Sequence, residues 1–497
     1  MKTRLLTPKD ISLNDPTGRN ASKTKGIRAA KEHYGPPSPY YQNGMALIDK
    51  VDALVDGLGS AHTPYIQYYH EARAKFGKQG GSYSHEKMIE LLTKYYDHAQ
   101  DKIDLASISG GVAYLRSIIA EKRELVGMPQ DIPQSLYHTY AGCGWGGHKG
   151  EFFAESYGAT LFRHARMAVM GQRRMRQKDR LIFMDSVLNV RQIEPILGKV
   201  RHWLKTYLPE YFGSWLNPNS CDRQKLTTIV DRNMGVYEGD YDSLDQHFHL
   251  EHAQLYIYMI EPILTGSETI TLYRWVDELF HQEVFDYPIC YTGLHNLFSG
   301  EVITQDCETG VSAATHLQRV LEIEVDPKEL IFLFVGDDSV VGSPARLLHK
   351  RDAFATGFPE LCDRVGLVVS REKCRIDQGV VRYCRKVYYP RGRRNSDGLL
   401  LGAYPSTYAV NNIVWPERLA ASSGIAACAD LARLDVCEGN PEFYPLIDII
   451  ASRATHKFLF TQQDLDERPT DWWERLYGEK WSPDTSPSWK HLQSLVK

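Results

Sequence analysis

The segment Leu330-Ile-Phe-Leu-Phe-Val335 is apolar throughout, breaks at Gly336-Asp337-Asp338 and turns apolar again at Val340 and Val341. Short apolar runs on either side of a turn signal predict a buried hairpin, here with two adjacent aspartates at its tip. Upstream, Gly235-Val-Tyr-Glu238 predicts a short strand running into Asp240, and Phe248, His252, Leu255 and Met259 recur at helical spacing beyond it. Ser243 with Gln246 three residues on has the form of a capping box, which predicts a turn after Asp240 and a helix entered near Asp245. Between these sites, Asn296-Leu-Phe-Ser-Gly300 breaks before a helix-like stretch. Its Gly310, Ser312, Ala313 and Ala314 are small enough to lie close against a sheet.

Outside this centre the pattern is mainly helical, from about 50 to 210 and again over the last 100 residues. The C-terminal stretch is punctuated by proline and carries Trp472, Trp473, Trp481 and Trp489, which are expected to dock into the core. Residues 1–45 are polar and basic, interrupted by Pro36-Pro37-Ser38-Pro39, and read as an arm that need not fold alone. Mixed strand and helix patterns fill 230–390, and no internal repeat or low-complexity tract is seen.

The 497 residues are 43% hydrophobic and 24% charged. That length and composition suit several globular domains and exclude a coiled coil, a collagen-like fibre and a wholly disordered chain. Nine cysteines are scattered without a C-x-x-C pair, which argues against a disulfide framework or zinc ribbon and for a reducing compartment. The opening Met1-Lys-Thr-Arg-Leu-Leu-Thr-Pro-Lys9 has no apolar stretch of the kind a signal peptide carries. The apolar run at 330–335 has six residues, against the roughly 20 that span a bilayer, so no membrane segment is expected.

Net charge is −4, from 58 Lys and Arg against 62 Asp and Glu, so a polyanionic partner would need positive charge concentrated locally. Two blocks supply it. Between 163 and 180 seven basic residues face one acid, Asp179, and from 371 to 394 nine face Glu372 and Asp377. Either alone could be a solvated helix face. Flanking an acidic centre, they fit a polyphosphate substrate or a nucleic-acid backbone.

That centre holds Asp240 and Asp245 after one strand, and Asp337 and Asp338 at the hairpin tip. Asp and Ser favour turns without any function, but a carboxylate at the edge of core strands is costly unless paired or bound to a cation. Hard oxygen donors, without His or Cys at metal spacing, select Mg2+ or Mn2+ over zinc. Asp240 and Asp337 could hold two such ions, the arrangement suited to in-line phosphoryl transfer.

Taken in chain order, Asp240-x4-Asp245, Ser299-Gly300-x3-Thr304 and Gly336-Asp337-Asp338 resemble motifs A, B and C of viral RNA-dependent RNA polymerases. Lys178-Asp-Arg-Leu-Ile182 resembles the basic motif F, Gly366 to Lys373 motif D, Val381 to Tyr389 motif E, and Thr139-Tyr-Ala-Gly142 motif G. The Leu-Asp-Gln-x-Phe ending of motif A looks most like the double-stranded RNA viruses of the picobirnavirus and partitivirus group, and the likeness covers about 139–390.

The resemblance implies an α+β right-hand fold: a basic arm over 1–45, helical fingers over 46–229 with motif F near 173–182, and a palm over 230–390. That palm has a small antiparallel sheet and a fingers insertion near 262–294, and a thumb and tail follow over 391–497. It implies RNA-templated RNA synthesis that replicates and transcribes a viral genome. RNA template and product duplex, nucleoside triphosphates and a capsid protein would be the partners, without a membrane, in the virion interior or host cytoplasm. Asp240, Asp337 and Asp338 would ligate two Mg2+ ions, or Mn2+. Asp245 would accept a hydrogen bond from the incoming ribose 2′-hydroxyl. Ser299, Gly300 and Thr304 would form the motif B loop at the nucleotide, Lys178 and Arg180 would clamp the triphosphate, and Lys373 is the candidate general acid for pyrophosphate.

One position departs from the pattern. Many relatives place Asn four residues after the motif B threonine, where this chain has Glu308, which donates no hydrogen bond unless protonated. Two rivals remain. A reverse transcriptase would put a bulky block where Asp245 offers a ribose partner, and an inactive palm serving as a capsid-bound scaffold would not need every metal carboxylate. Gly142-Cys-Gly-Trp-Gly-Gly147 matches a dinucleotide-binding spacing but lacks a preceding strand. His247, His249 and His252 do not share zinc spacing and are expected to pack.

Overall fold

The chain is described by a computed structural model over residues 4–6, 38–41, 43–77, 85–133, 167–175, 178–184, 187–213, 220–286, 289–416, 420, 422–466 and 481–496. Most of the basic arm, Thr139 to Gly147, Arg163, Arg166, Trp472 and Trp473 lie outside the described residues. The strands form three sheets. β1 (Arg4–Leu6), β2 (Met167–Met175), β3 (Lys178–Met184), β5 (Glu283–Asp286) and β6 (Ile289–Thr292) make one in the order β1-β6-β5-β2-β3. β4 (Gly235–Gly239), β7 (Ile331–Val335), β8 (Asp338–Ser343) and β9 (Arg375–Gln378) make an antiparallel sheet in the order β7-β8-β4-β9. β10 (Val381–Tyr383) and β11 (Lys386–Tyr388) form a hairpin.

The four-stranded sheet is covered on both faces, which is why β7 reads as a continuous apolar run rather than an alternating one. Tyr237, Phe332, Phe334 and Val341 face the main core, built with the helices Ser109–Val126, Val187–Tyr207, Leu250–Ile260, Thr304–Glu322 and Leu348–Arg364. Val236, Leu333, Val335 and Val340 face the other side, against Leu226 and Ile229 of the Ser220–Asp231 helix and Val381 and Tyr383 of β10. Two cores of different shape fix the register, with Tyr237 opposite Val341 and Leu333 opposite Val340; a slip of one residue would exchange the faces. The small residues of the Thr304–Glu322 helix serve close packing, with close approaches to neighbouring helices where a sheet was expected. A Cβ on Gly310 would meet the Tyr256 ring at 2.6 Å, and one on Gly111 of the neighbouring helix would meet the Ala314 carbonyl at 2.0 Å.

The C-terminal core is shared with the N-terminal helices. Leu47, Ile48, Val51 and Val55 of the Gly44–Asp56 helix, and Tyr65 and Tyr69 of Thr63–Arg73, pack with Val410, Leu431, Phe443 and Ile447. Polar ties reinforce this. Tyr41 donates to Asp430 at 2.6 Å, and Tyr65 donates to the buried Glu442. Trp481 is buried and donates to Asp435 at 2.9 Å, the docking role its sequence context suggested.

The mainly helical stretch from 50 to 210 also holds the β2–β3 hairpin. Two local expectations need correction. The helix foreseen from Asp245 is broken. Leu244–His247 is a single turn, Phe248 is extended, and the chain restarts as Leu250–Ile260. Ser243 makes no capping hydrogen bond; His249 and His252 cap the second helix instead, with His249 N donating to His252 Nδ1 at 2.9 Å. Finally, the break at 336–338 is a two-residue turn. Val335 pairs with Asp338, so Asp338 belongs to β8 and only Gly336 and Asp337 turn the chain.

Candidate active site

Each acidic residue is set by the end of a strand. β4 delivers Asp240 beside the start of β8, since Gly239 pairs with Ser339. The segment after Asp240 keeps an extended neighbour: Ser370 N donates to the Asp240 carbonyl at 2.8 Å, and Asp242 N to that of Val368 at 2.8 Å. Gly336 takes a φ of +58°, the left-handed position that a tight hairpin turn needs and glycine accepts freely. Its N–H donates to Thr309 Oγ1 at 2.8 Å, so the Thr304–Glu322 helix holds the turn. Asp337 is exposed at the tip, while Asp240 and Asp338 are half-buried.

The electrostatics show carboxylates crowded together. Burial and the neighbouring Asp337 push the Asp338 carboxyl up to about 7, with Arg385 opposing and Asp240 adding to the rise. Glu308 joins them. Burial and the charges of Asp337 and Asp245 hold its carboxyl well above the usual range, and its Oε2 lies 3.5 Å from where a Gly336 Cβ would stand. Lys373 answers the cluster, with Nζ 2.9 Å from Asp240 Oδ1. Burial works against its charge, yet the hydrogen bond and charge of Asp240, with Asp242 and Asp337, keep the ammonium above its ordinary value.

Mutual repulsion of this kind is relieved by a divalent cation, and the donors are hard oxygens. Asp240, Asp337 and Asp338 therefore fit Mg2+ or Mn2+ in chemistry. Among the described residues no three or more His, Cys, Asp or Glu side chains are gathered into a ready-made cage.

Asp245 lies on the single turn after β4. Its Oδ2 accepts from Tyr95 at 2.7 Å and its Oδ1 from Gln246 N at 3.0 Å. Ser299 and Gly300 form a turn, Gly300 with a φ of +102°, and Thr304 starts the long helix with its Oγ1 donating to the Phe298 carbonyl at 3.1 Å. A residue that sequence reading missed fixes this helix start. Arg201, buried, donates to Asp306 at 2.6 Å, to Glu194 at 3.1 Å and to the Val302 carbonyl at 3.3 Å.

The basic blocks fare differently. Lys178 and Arg180 lie in β3, where the register sets Arg173 opposite Arg180; their side chains are outside the described residues. In the second block Arg375 and Arg382 share Glu71, at 3.0 and 2.7 Å, and Arg394 pairs with Asp231 at 2.6 Å, so much of that charge is neutralised within the fold. The three histidines make no metal site; His252 is fully buried and donates through Nε2 to the Val365 carbonyl at 2.8 Å.

A small palm-type sheet with carboxylates at one end, backed by helices and joined to a second sheet, is the right-hand polymerase fold. The chain has this fold over nearly its whole length. It is similar to the crystal structure of the RNA-dependent RNA polymerase of a human picobirnavirus, with a TM-score of 0.71, 14% identity, and coverage of 98% of this chain and 99% of that one. The insertion-loop deletion mutant of that enzyme gives 0.73 at the same identity and coverage. No protein-family model matches the sequence, and no curated protein does. No helix among the described residues is long and apolar enough to cross a membrane.

Proposed function

We propose that the protein is an RNA-dependent RNA polymerase, joining nucleoside triphosphates to a 3′-hydroxyl on an RNA template. The observation that carries the reading is the gathering of Asp240, Asp337 and Asp338 at one end of the palm sheet, with Lys373 on Asp240 and with the charges of Asp337 and Asp245 both acting on Glu308. The reaction breaks the O–H bond of the 3′-hydroxyl, whose proton passes to solvent, forms an ester bond from the 3′-oxygen to the α-phosphorus, and breaks the bond from that phosphorus to the α–β bridging oxygen, releasing pyrophosphate. Asp240, Asp337 and Asp338 would hold the two Mg2+ ions, or Mn2+, which when bound supply Lewis-acid stabilisation of the attacking and leaving oxygens. Asp245 accepts the ribose 2′-hydroxyl, the group that separates RNA from DNA precursors. Lys373, held protonated, gives a proton to the departing pyrophosphate. Lys178 and Arg180 clamp the triphosphate, and Ser299, Gly300 and Thr304 line the nucleotide.

An RNA template and duplex, a viral capsid protein, and a place in the virion or host cytoplasm belong to the same reading and rest on the resemblance of the motifs. The test is incorporation of ribonucleotides and deoxyribonucleotides on an RNA template in Mg2+ and in Mn2+. Ribonucleotide incorporation is expected. A preference for deoxyribonucleotides would make the chain a reverse transcriptase, and no incorporation in either metal would make it a scaffold.

A further inference from the structure

We propose that Tyr95 is a specificity-determining positioning residue for sugar choice, holding the Asp245 carboxylate in the orientation that reads the 2′-hydroxyl and tying it to β3 and the Ser299-Gly300 loop. The inference rests on the polymerase reading above. Tyr95 stands 150 residues before Asp245, on the His85–His98 helix, and is 2% exposed. Its hydroxyl donates to Asp245 Oδ2 at 2.7 Å, while Gln246 N donates to Oδ1 at 3.0 Å. Hydrogen bonds to an ionised acceptor are the stronger kind, and two of them on different oxygens fix the plane of the carboxylate.

The same tyrosine is fixed by its surroundings. Its ring meets Phe183 and Phe298 edge-on, each at 5.3 Å, and those two rings stack on one another at 3.9 Å. Phe183 lies in β3, the strand that carries Lys178 and Arg180, and Phe298 directly precedes Ser299. The Tyr95 carbonyl accepts from Asn296 N at 2.8 Å, and Asn296 Nδ2 in turn donates to the Gln246 carbonyl at 2.8 Å. A Cβ on Gly300 would stand 3.5 Å from the Phe183 carbonyl, so the loop lies against the end of β3. One side chain thus joins the sugar reader to the strand read as the triphosphate clamp and to the loop read as the nucleotide wall.

The experiment uses the full chain with Tyr95→Phe, which keeps the ring packing and removes the hydroxyl, with Asp245→Ala, and with both. Single-nucleotide incorporation on an RNA template gives kcat/KM for a ribonucleotide and its deoxyribonucleotide. Their ratio does not depend on how much of the preparation is folded. Tyr95→Phe should lower the wild-type preference about fivefold, the worth of one such hydrogen bond. In the Asp245→Ala background it should change nothing further, because the effect runs through that carboxylate. An unchanged ratio in Tyr95→Phe, or an equal fall with and without Asp245, would overturn the role. If wild type itself fails to incorporate ribonucleotides, the polymerase reading falls first, and that result is distinct from either.

Discussion

Lys373 reaches back across 133 residues of sequence to place its ammonium 2.9 Å from the Asp240 carboxylate. The pair joins the residue read as proton donor to one read as metal ligand. Lys373→Leu should lower kcat about a hundredfold, in the range that a positioned general acid contributes, with nucleotide KM little changed. Lys373→Arg keeps the charge and the contact with Asp240 but holds its proton too firmly to donate it, so it should be nearly as slow. Full speed in the arginine variant, by single-turnover kinetics, would show that charge and not proton transfer is what this position supplies.

Asp337→Asn is nearly isosteric and removes the charge at the exposed tip of the hairpin. Loss of stabilisation at the transferred phosphoryl group should slow RNA synthesis by at least roughly a hundredfold. The thermal midpoint without metal should not fall, since one member of a repelling cluster is gone. Turnover above a tenth of wild type in Mg2+ would remove Asp337 from the site.

Arg201 pairs with both Glu194 and Asp306, with all three side chains at least nine-tenths buried, and the charge of Lys205 acts on Asp306 as well. Arg201→Met removes one partner of these buried ion pairs, a change that costs about 3–5 kcal/mol. Urea unfolding should show that loss. A shift below about 1 kcal/mol would mean that the carboxylates take up protons at little cost.

His252 accepts from His249 N on Nδ1 and donates to the Val365 carbonyl from Nε2, so the neutral ring already uses both nitrogens. Burial, with His249 nearby, pushes its pKa down to about 3, the carbonyl contact only partly opposing. Between about pH 6.5 and pH 3 the unfolded chain binds a proton that the native ring refuses. The stability this residue gives is therefore present above pH 6.5 and falls, as pH drops, by about 1.4 kcal/mol per unit. His252→Gln does not titrate. The stability difference between wild type and variant, measured in urea, should narrow by about 1.4 kcal/mol from pH 7.5 to pH 5.5. A constant difference would show that the native ring takes up the proton.

The hairpin with Asp337 and Asp338 was legible because a strand buried on both faces leaves an unbroken apolar run, and Gly336-Asp337 is a turn signal with a mechanism. Asp240 was legible from the short Gly235-Val-Tyr-Glu238 stretch that runs into it as a strand. The break at Phe248 was not: the helix beyond it is capped by His249 and His252, residues outside the usual Ser, Thr, Asp and Asn set. β2 and β3 were hidden because basic residues (Arg173, Arg174, Lys178 and Arg180) interrupt any alternation of apolar and polar positions along them. Glu308 was visible as an oddity four residues after Thr304, but its approach to the Gly336 turn comes from the packing of a helix on a hairpin. Tyr95 and the Arg201 contact with Asp306 were not legible, since each joins residues more than 100 positions apart.

The shared core of the N- and C-terminal helices also sets a timetable. Tyr41 and His456, both held by Asp430, are 415 residues apart. At about 5–20 residues per second of translation, roughly 20–80 s pass between the emergence of one and of the other. Throughout that interval the apolar face formed by Leu47, Ile48, Val51 and Val55 lacks the C-terminal part of its core, Phe443, Leu446, Ile447 and Ile450. A ribosome that stalls before residue 443 therefore releases a chain whose first helices are left without that partner.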